Sequence, residues 1–125
     1  MKAREDIVEN YIAGYNEMDI QKMVRDLDDA VVFKNVSNEN VDLELHGLEN
    51  FREQAERALS LFIERKQTMM AIRHQNGAVE LDIDYYARIA TFQGESVTAP
   101  ELRFSGTAVF TFSKDNKITS ITDTK

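Results

Sequence analysis

The dipeptide Asn76-Gly77 constrains this chain more than any other stretch of it. Asparagine and glycine are the residues that most readily take left-handed backbone at both central positions of a type I′ turn, the tightest link between two antiparallel strands. A two-residue loop there pairs Gln75 with Ala78, His74 with Val79, Arg73 with Glu80 and Ile72 with Leu81. The register checks itself. Arg73 falls opposite Glu80, a favourable cross-strand charge pair. Strict alternation also places Met70 and Ile72 on the same face as Val79, Leu81, Ile83 and Tyr85.

Helices precede this hairpin. Ile7, Tyr11 and Tyr15 recur every four residues, with Val8 and Ile12 beside them, which predicts a helix over about residues 3–16. "NEMD" breaks the period, and Asp19 is placed to cap a short second helix whose inner face is Ile20, Met23, Val24 and Leu27. After Asp28-Asp29, "AVVF" reads as a strand, "NVSNEN" as a turn-rich loop and "VDLEL" as a short strand. His46-Gly47 leads into a third helix carrying Leu48, Phe51, Ala55, Ala58, Leu59 and Phe62, with Glu53 and Arg57 paired on its outside.

Beyond the hairpin, "QGESVTAPE", which holds the single proline Pro100, reads as a loop leading into a strand. "LRFSGTAVFTFS" then alternates, with Leu102, Phe104, Ala108, Phe110 and Phe112 on one face. "SKDNK" turns, and "KITSITDT" closes the sheet. If the loop is Asp115-Asn116, Phe110 faces Ile121 and Ala108 faces Asp123; a longer loop shifts the register. Three helices followed by a long antiparallel sheet with one apolar face make an α+β chain. The simplest packing is one domain over residues 1–125, its curved sheet wrapped around the helices.

Composition removes several functions. The 15 Lys and Arg are scattered among 22 Asp and Glu, for a net charge of −7. Such a surface repels phosphate backbones and anionic lipid, so neither nucleic acid nor membrane is an expected partner. The absence of cysteine removes disulfides, thiolate nucleophiles and cysteine-ligated zinc, and fits a cytoplasmic setting. "MKAREDIVEN" lacks the apolar core of a signal peptide, and no apolar run approaches the roughly 18 residues of a membrane span. No P-loop, dinucleotide fingerprint or Ser-His-Asp spacing appears, and the two histidines lie too far apart for a ligand pair, so neither cofactor nor metal is expected.

Three stretches carry a family resemblance: "YIAGYNEMDIQKMVRDLDDAVVF", "HGLENFREQAERAL" and "GTAVFTFSKDNKITSITD". In order and spacing they resemble the nuclear transport factor 2-like superfamily, including its polyketide cyclase, SnoaL-like and ketosteroid isomerase-like branches. The resemblance implies a cone of curved sheet closed by helices. It does not imply one reaction, because the superfamily holds isomerases, dehydratases, epoxide hydrolases, cyclases and non-catalytic association domains. Tyr11 matches the tyrosine of the steroid isomerases. Their base falls on Lys34 or Asn35 and their third acid on Ala108, so that chemistry is not expected here. The cyclase-like branch often places an acid on the last strand, where this chain has Asp123.

Asp123 and His74 are therefore the candidate catalytic residues. A carboxylate in an apolar cavity has a raised pKa and can shuttle protons, although Asp123 lies near the end of the chain, where solvation is usual. His74 is either a base or a core-edge residue, and His46 is expected to pack or cap. Tyr11, Tyr15, Tyr85 and Phe110 are candidate ligand contacts; equally, the tyrosines are core with hydroxyls bonded near the mouth of the cone. Glu80, Asp82 and Asp84 share the outer face with Tyr86 and Arg88, as a cation site or a solvated surface. The expected function is binding of a small apolar or aromatic molecule. Any turnover would be a lyase, isomerase or cyclase type of proton transfer. The alternative is an association module with a vestigial cavity. A homodimer is expected through the outer sheet face, which should present Met69, Ala71, Arg73, Tyr86, Arg88 and Arg103 among its acids.

Overall fold

The computed structural model describes residues 2–93 and 96–125; of the "QGESVTAPE" stretch, Gly94 and Glu95 lie outside the described residues. The Asn76-Gly77 turn joins β3 (Phe62–Gln75) to β4 (Ala78–Ile89). Asn76 has φ 53° and Gly77 φ 82°, both left-handed. The four pairs nearest the turn are those the sequence predicts.

Four residues further on, the register departs from strict alternation. Ala71 pairs with Asp82 but Met69 pairs with Ile83, which leaves Met70 as a bulge. Met70 consequently points out, 60% exposed, whereas Met69 packs against the core. This corrects the expectation for both methionines. The physical reason is curvature: an extra residue bends the strand and raises its twist, as a sheet wrapping helices requires. A second irregularity lies between Phe62 and Glu64. Between the two, the residues facing inward are Arg65 and Gln67, both buried, rather than Lys66 and Thr68.

The next strand of the main sheet, β7 (Glu101–Phe112), pairs with β4, and β8 (Ile118–Thr124) pairs with β7. The last turn has three residues, with Ser113 N–H bonded to the Lys117 carbonyl and Asn116 left-handed at φ 59°. An irregularity in β8 then restores the shorter-loop register, so Phe110 faces Ile121 and Ala108 faces Asp123. On its other side β8 runs parallel to β1 (Leu27–Ser37), bringing Asn35 beside Asp123. The order of the six-stranded sheet is β2-β1-β8-β7-β4-β3, where β2 is Asn40–His46. "NVSNEN" is strand through Ser37; only Asn38 and Glu39, both at positive φ, make the turn to β2. β5 (Thr91–Gln93) and β6 (Ser96–Thr98) form a separate ribbon.

The helices α1 (Lys2–Glu17) and α3 (Leu48–Leu59) pack against this sheet, and α2 (Ile20–Val24) packs against those two helices. Phe62, expected on α3, belongs to β3. Val8, Tyr11 and Ile12 of α1 meet a sheet floor of Val79, Leu81, Phe110 and Ile121, all fully buried. Arg4 ties the start of α1 to both hairpin turns: Nε donates to Asn116 Oδ1 at 2.9 Å and Nη1 to the Gly77 carbonyl at 2.6 Å. Asp19 caps α2, accepting from Lys22 N at 3.1 Å. Glu53 and Arg57 pair at 3.5 Å.

On the outer face the charges close among themselves. Arg73 grips Asp82 with two bonds of 2.7 and 2.9 Å, and Ser105 donates to Asp84 at 2.8 Å. Glu80, Asp82 and Asp84 thus form no concentrated cation site. No helix is long and apolar enough to cross a membrane among the described residues.

Gly14 marks the crossing of α1 and α2. A Cβ there would lie 2.8 Å from the Met23 backbone nitrogen, closer than real contacts allow. Gly14→Ala is expected to destabilise the fold by about 2 kcal/mol through overpacking, outweighing its helix-propensity gain. Chemical denaturation checks this, and a variant as stable as the parent would mean that the two helices do not meet so closely.

Candidate functional site

Helix α1 ends at Glu17, but the concave face of the sheet continues beyond it. There a cavity of about 380 Å³ opens among α1, α3 and the sheet. Tyr11 and Tyr15 reach it from α1, one turn apart. Asn35, Arg65, Tyr85 and Asp123 reach it from four strands, and Phe33, Phe51, Phe62 and Phe104 supply apolar wall. The volume lies within the range of small-molecule sites, and an apolar lining with a few convergent polar groups is their usual make-up.

Asp123 sits between Asn35 on β1 and Ala108 on β7. Alanine on one side leaves the carboxyl room to face the cavity. Burial pushes its pKa up to about 7, against a smaller pull down from Lys125. The residue keeps some access to solvent through the cavity, yet its carboxyl is desolvated enough to titrate near neutrality.

The three tyrosines share one environment. Burial raises the pKa of each above that of an ordinary phenol, and the charge of Asp123 adds to the rise in all three. They therefore remain protonated donors near neutral pH. Tyr11 meets Phe110 edge-on at 5.5 Å, and Tyr85 stacks on Phe104 at 4.8 Å. The Tyr85 hydroxyl is the one buried side-chain polar atom without a hydrogen-bond partner among the described residues. An orphaned buried hydroxyl costs roughly 1–3 kcal/mol.

Arg65 is 6% exposed. Its Nε donates to the Tyr15 carbonyl at 2.9 Å, and its guanidinium lies 4.0 Å above the Tyr15 ring. Next to it, Asn16 and Gln67 exchange two bonds, 2.7 and 3.0 Å, which lock the end of α1 onto β3 in the frame set by the bulge.

Of the residues singled out from sequence, Tyr11, Tyr15, Tyr85 and Asp123 converge on the cavity. Phe110 lies behind the wall, fully buried, and His74 lies outside it. Strand β3 carries His74 to the hairpin end, where Nε2 meets Glu5 Oε1 at 2.7 Å. His46 neither caps nor packs inward; it is exposed and pairs with Glu44. Asn35 lines the cavity and Lys34 does not. Among the described residues no three His, Asp or Glu side chains gather as a metal-binding set. Arg65 and Gln67 are the lining residues that alternation alone conceals: counted from the hairpin without a bulge, they point outward.

A carboxyl poised near neutrality beside protonated phenols can take a proton from carbon and return it, while a phenol donates to a developing oxyanion.

A SnoaL-like domain family matches the chain over residues 8–121. A SnoaL-like polyketide cyclase candidate from Shewanella denitrificans superposes with a TM-score of 0.84, 16% identity, and coverage of 99% of this chain and 90% of that one. AclR, a hydroxylase candidate from Streptomyces galilaeus, gives 0.74 at 18% identity, covering 98% and 88%. A ketosteroid isomerase-like fold from Catenulispora acidiphila, in complex with trimethylamine, gives 0.73 at 14%, covering 94% and 82%. A sequence search finds no match among curated proteins.

The Asp123 carboxyl has a folded-state pKa of about 7, above its unfolded value of about 4. Its contribution is present at low pH and lost as pH rises through 7, because the folded chain must then ionise a desolvated group. Asp123→Asn is therefore expected to be more stable than the parent by about 2–4 kcal/mol near pH 8.5, with the gap closing towards pH 4. Thermal melts across this range check it; a gap independent of pH would show that the carboxyl is solvated.

Proposed function

This chain belongs to the SnoaL-like domain family, and on that premise we propose that its cavity binds a small apolar or aromatic molecule and that Asp123 moves a proton on it. The observation that carries the reading is the Asp123 carboxyl, held near neutral pKa in a cavity where the Tyr85 hydroxyl has no partner of its own. In this reading the Asp123 carboxylate takes a proton from a carbon next to a ligand carbonyl. The electron pair moves onto the carbonyl oxygen, which gains a hydrogen bond from a cavity-lining phenol. The resulting carboxylic acid then returns the proton: to the same carbon or another in an isomerisation, or, where the enolate carbon attacks a second carbonyl, to the alkoxide oxygen that forms. This is the proton balance of an isomerase or of an aldol-type cyclase. The chemistry of the matched solved structures stays with those proteins, since at 14–18% identity they share a fold.

A thermal-shift panel of steroids, polycyclic aromatics and fatty acids is expected to give stabilisation of several degrees for at least one class. No shift with any class would leave the association reading instead. Proton transfer is tested by deuterium exchange into 2-tetralone, an aromatic ketone with acidic carbon–hydrogen bonds. The parent should accelerate exchange, and Asp123→Asn should lower the rate about 100-fold or more while still binding the ketone. Equal rates for the two would remove Asp123 from the chemistry.

A homodimer through the outer sheet face is proposed alongside. Its support is the exposed Arg103–Tyr86 stack at 4.6 Å beside Arg88 and Glu64, a side-chain set common at interfaces. The charges that close within one chain make such an interface polar. Light scattering at micromolar concentration should give about twice the 14.3 kDa chain mass. A monomer mass would reject the pairing, and Arg88→Glu should weaken it if this face is used.

A further inference from the structure

The cavity holds a cation whose place packing alone does not explain. Arg65 is 94% buried, yet no carboxylate pairs with it among the described residues. One donor caps the Tyr15 carbonyl at the end of α1, and Nη2 reaches only the weakly accepting Met23 sulfur at 3.8 Å. Among the described residues the two Nη1 hydrogens have no acceptor, and Arg65 lines the cavity. The aromatic faces of Tyr15 and Phe62, 4.0 and 5.3 Å away, hold the guanidinium plane in position. Capping a helix end needs one donor and could be met at the surface. A buried, oriented guanidinium with free hydrogens is the arrangement that recognises a planar anion.

Sheet order sets the anion site apart from Asp123. Arg65 is on β3 at the edge of the sheet, and Asp123 is on β8, with β7 and β4 lying between the two strands. The cavity therefore has a cationic end at β3 and its carboxyl at β8.

We propose that Arg65 is the anion-binding subsite of this cavity and that the ligand is an apolar or aromatic molecule carrying a carboxylate. This rests on the reading of the cavity as a small-molecule site. Lys125 also lines the cavity, but it is exposed and lies over Phe104, and it serves as the control.

Calorimetry with three pairs, benzoic, 2-naphthoic and dodecanoic acids against their methyl esters, tests the proposal at about pH 6. There the acids are ionised and Asp123 is largely protonated. The parent should bind at least one acid about 10-fold more tightly than its ester. Arg65→Met should abolish that preference and leave ester affinity within about 3-fold, whereas Lys125→Met should keep it. Arg65→Lys retains the charge without the planar fork and should show a reduced preference. It also preserves the test if the methionine variant does not fold. Acid and ester bound equally by the parent overturns the subsite and leaves the cavity reading intact, as does a preference that follows Lys125. No binding of any acid or ester removes the cavity reading and the subsite with it.

Discussion

Burial of one helix face in the hollow of the sheet is the constraint on which the rest of this structure depends. Val8 and Tyr11 of α1 seat on Val79, Leu81, Phe110 and Ile121, and burying each such side chain is worth roughly 1.5–3 kcal/mol. Arg4 sets where the helix starts along the sheet, because it binds the tips of both hairpins at once. Asn16 and Gln67 set where it ends. The helix is shorter than the sheet, so the strands run on past Glu17 with an apolar face and nothing to cover it. Leu102 and Phe104, on that face, are 41% and 38% exposed. The cavity is the uncovered remainder of a surface that the same helix fills at its other end.

That cavity concentrates features that stability alone would remove. A neutral-leaning carboxyl, an orphaned phenol and an arginine without a carboxylate all oppose folding, since each is a desolvated polar group with incomplete partners. Elsewhere the polar groups find one another: Arg73 with Asp82, His74 with Glu5, Ser105 with Asp84. Violations of local consistency that gather in one place mark a site under a different demand from folding. The family shares the architecture among proteins of different described chemistry, so the cavity side chains, rather than the cone, must carry the functional argument.

Much of the architecture was legible in the sequence because it depends on local chemistry. Asn-Gly dictates its own turn, and the turn dictates the four pairs beside it. Asp19 caps its helix because an acidic side chain before an apolar run has donors to satisfy. The four-residue spacing of Ile7, Tyr11 and Tyr15 decides which helix face turns inward. In the site, Tyr11, Tyr15 and Tyr85 follow from these local periods. Asp123 depended on a loop length that admitted two registers, and the three-residue turn reaches the cavity-facing one only because β8 carries a compensating irregularity.

The tertiary structure alone decided the identity of the cation. Between Phe62 and Ile72 the sequence offers two alternating frames, one with Lys66 and Thr68 inward and the other with Arg65 and Gln67. Each buries polar groups, so hydrophobic pattern does not separate them. Met69 and Met70 are equally apolar, and either could face the core. The choice is made by the bend the strand needs to stay paired with β4 while curving around α1. An inserted residue at Met70 supplies that bend and reverses the face of the residues between it and the second irregularity near Phe62. Turn residues and periods act over a few neighbouring positions and can be read from them. Curvature belongs to the sheet and helix together, and only their packing determines where the extra residue goes.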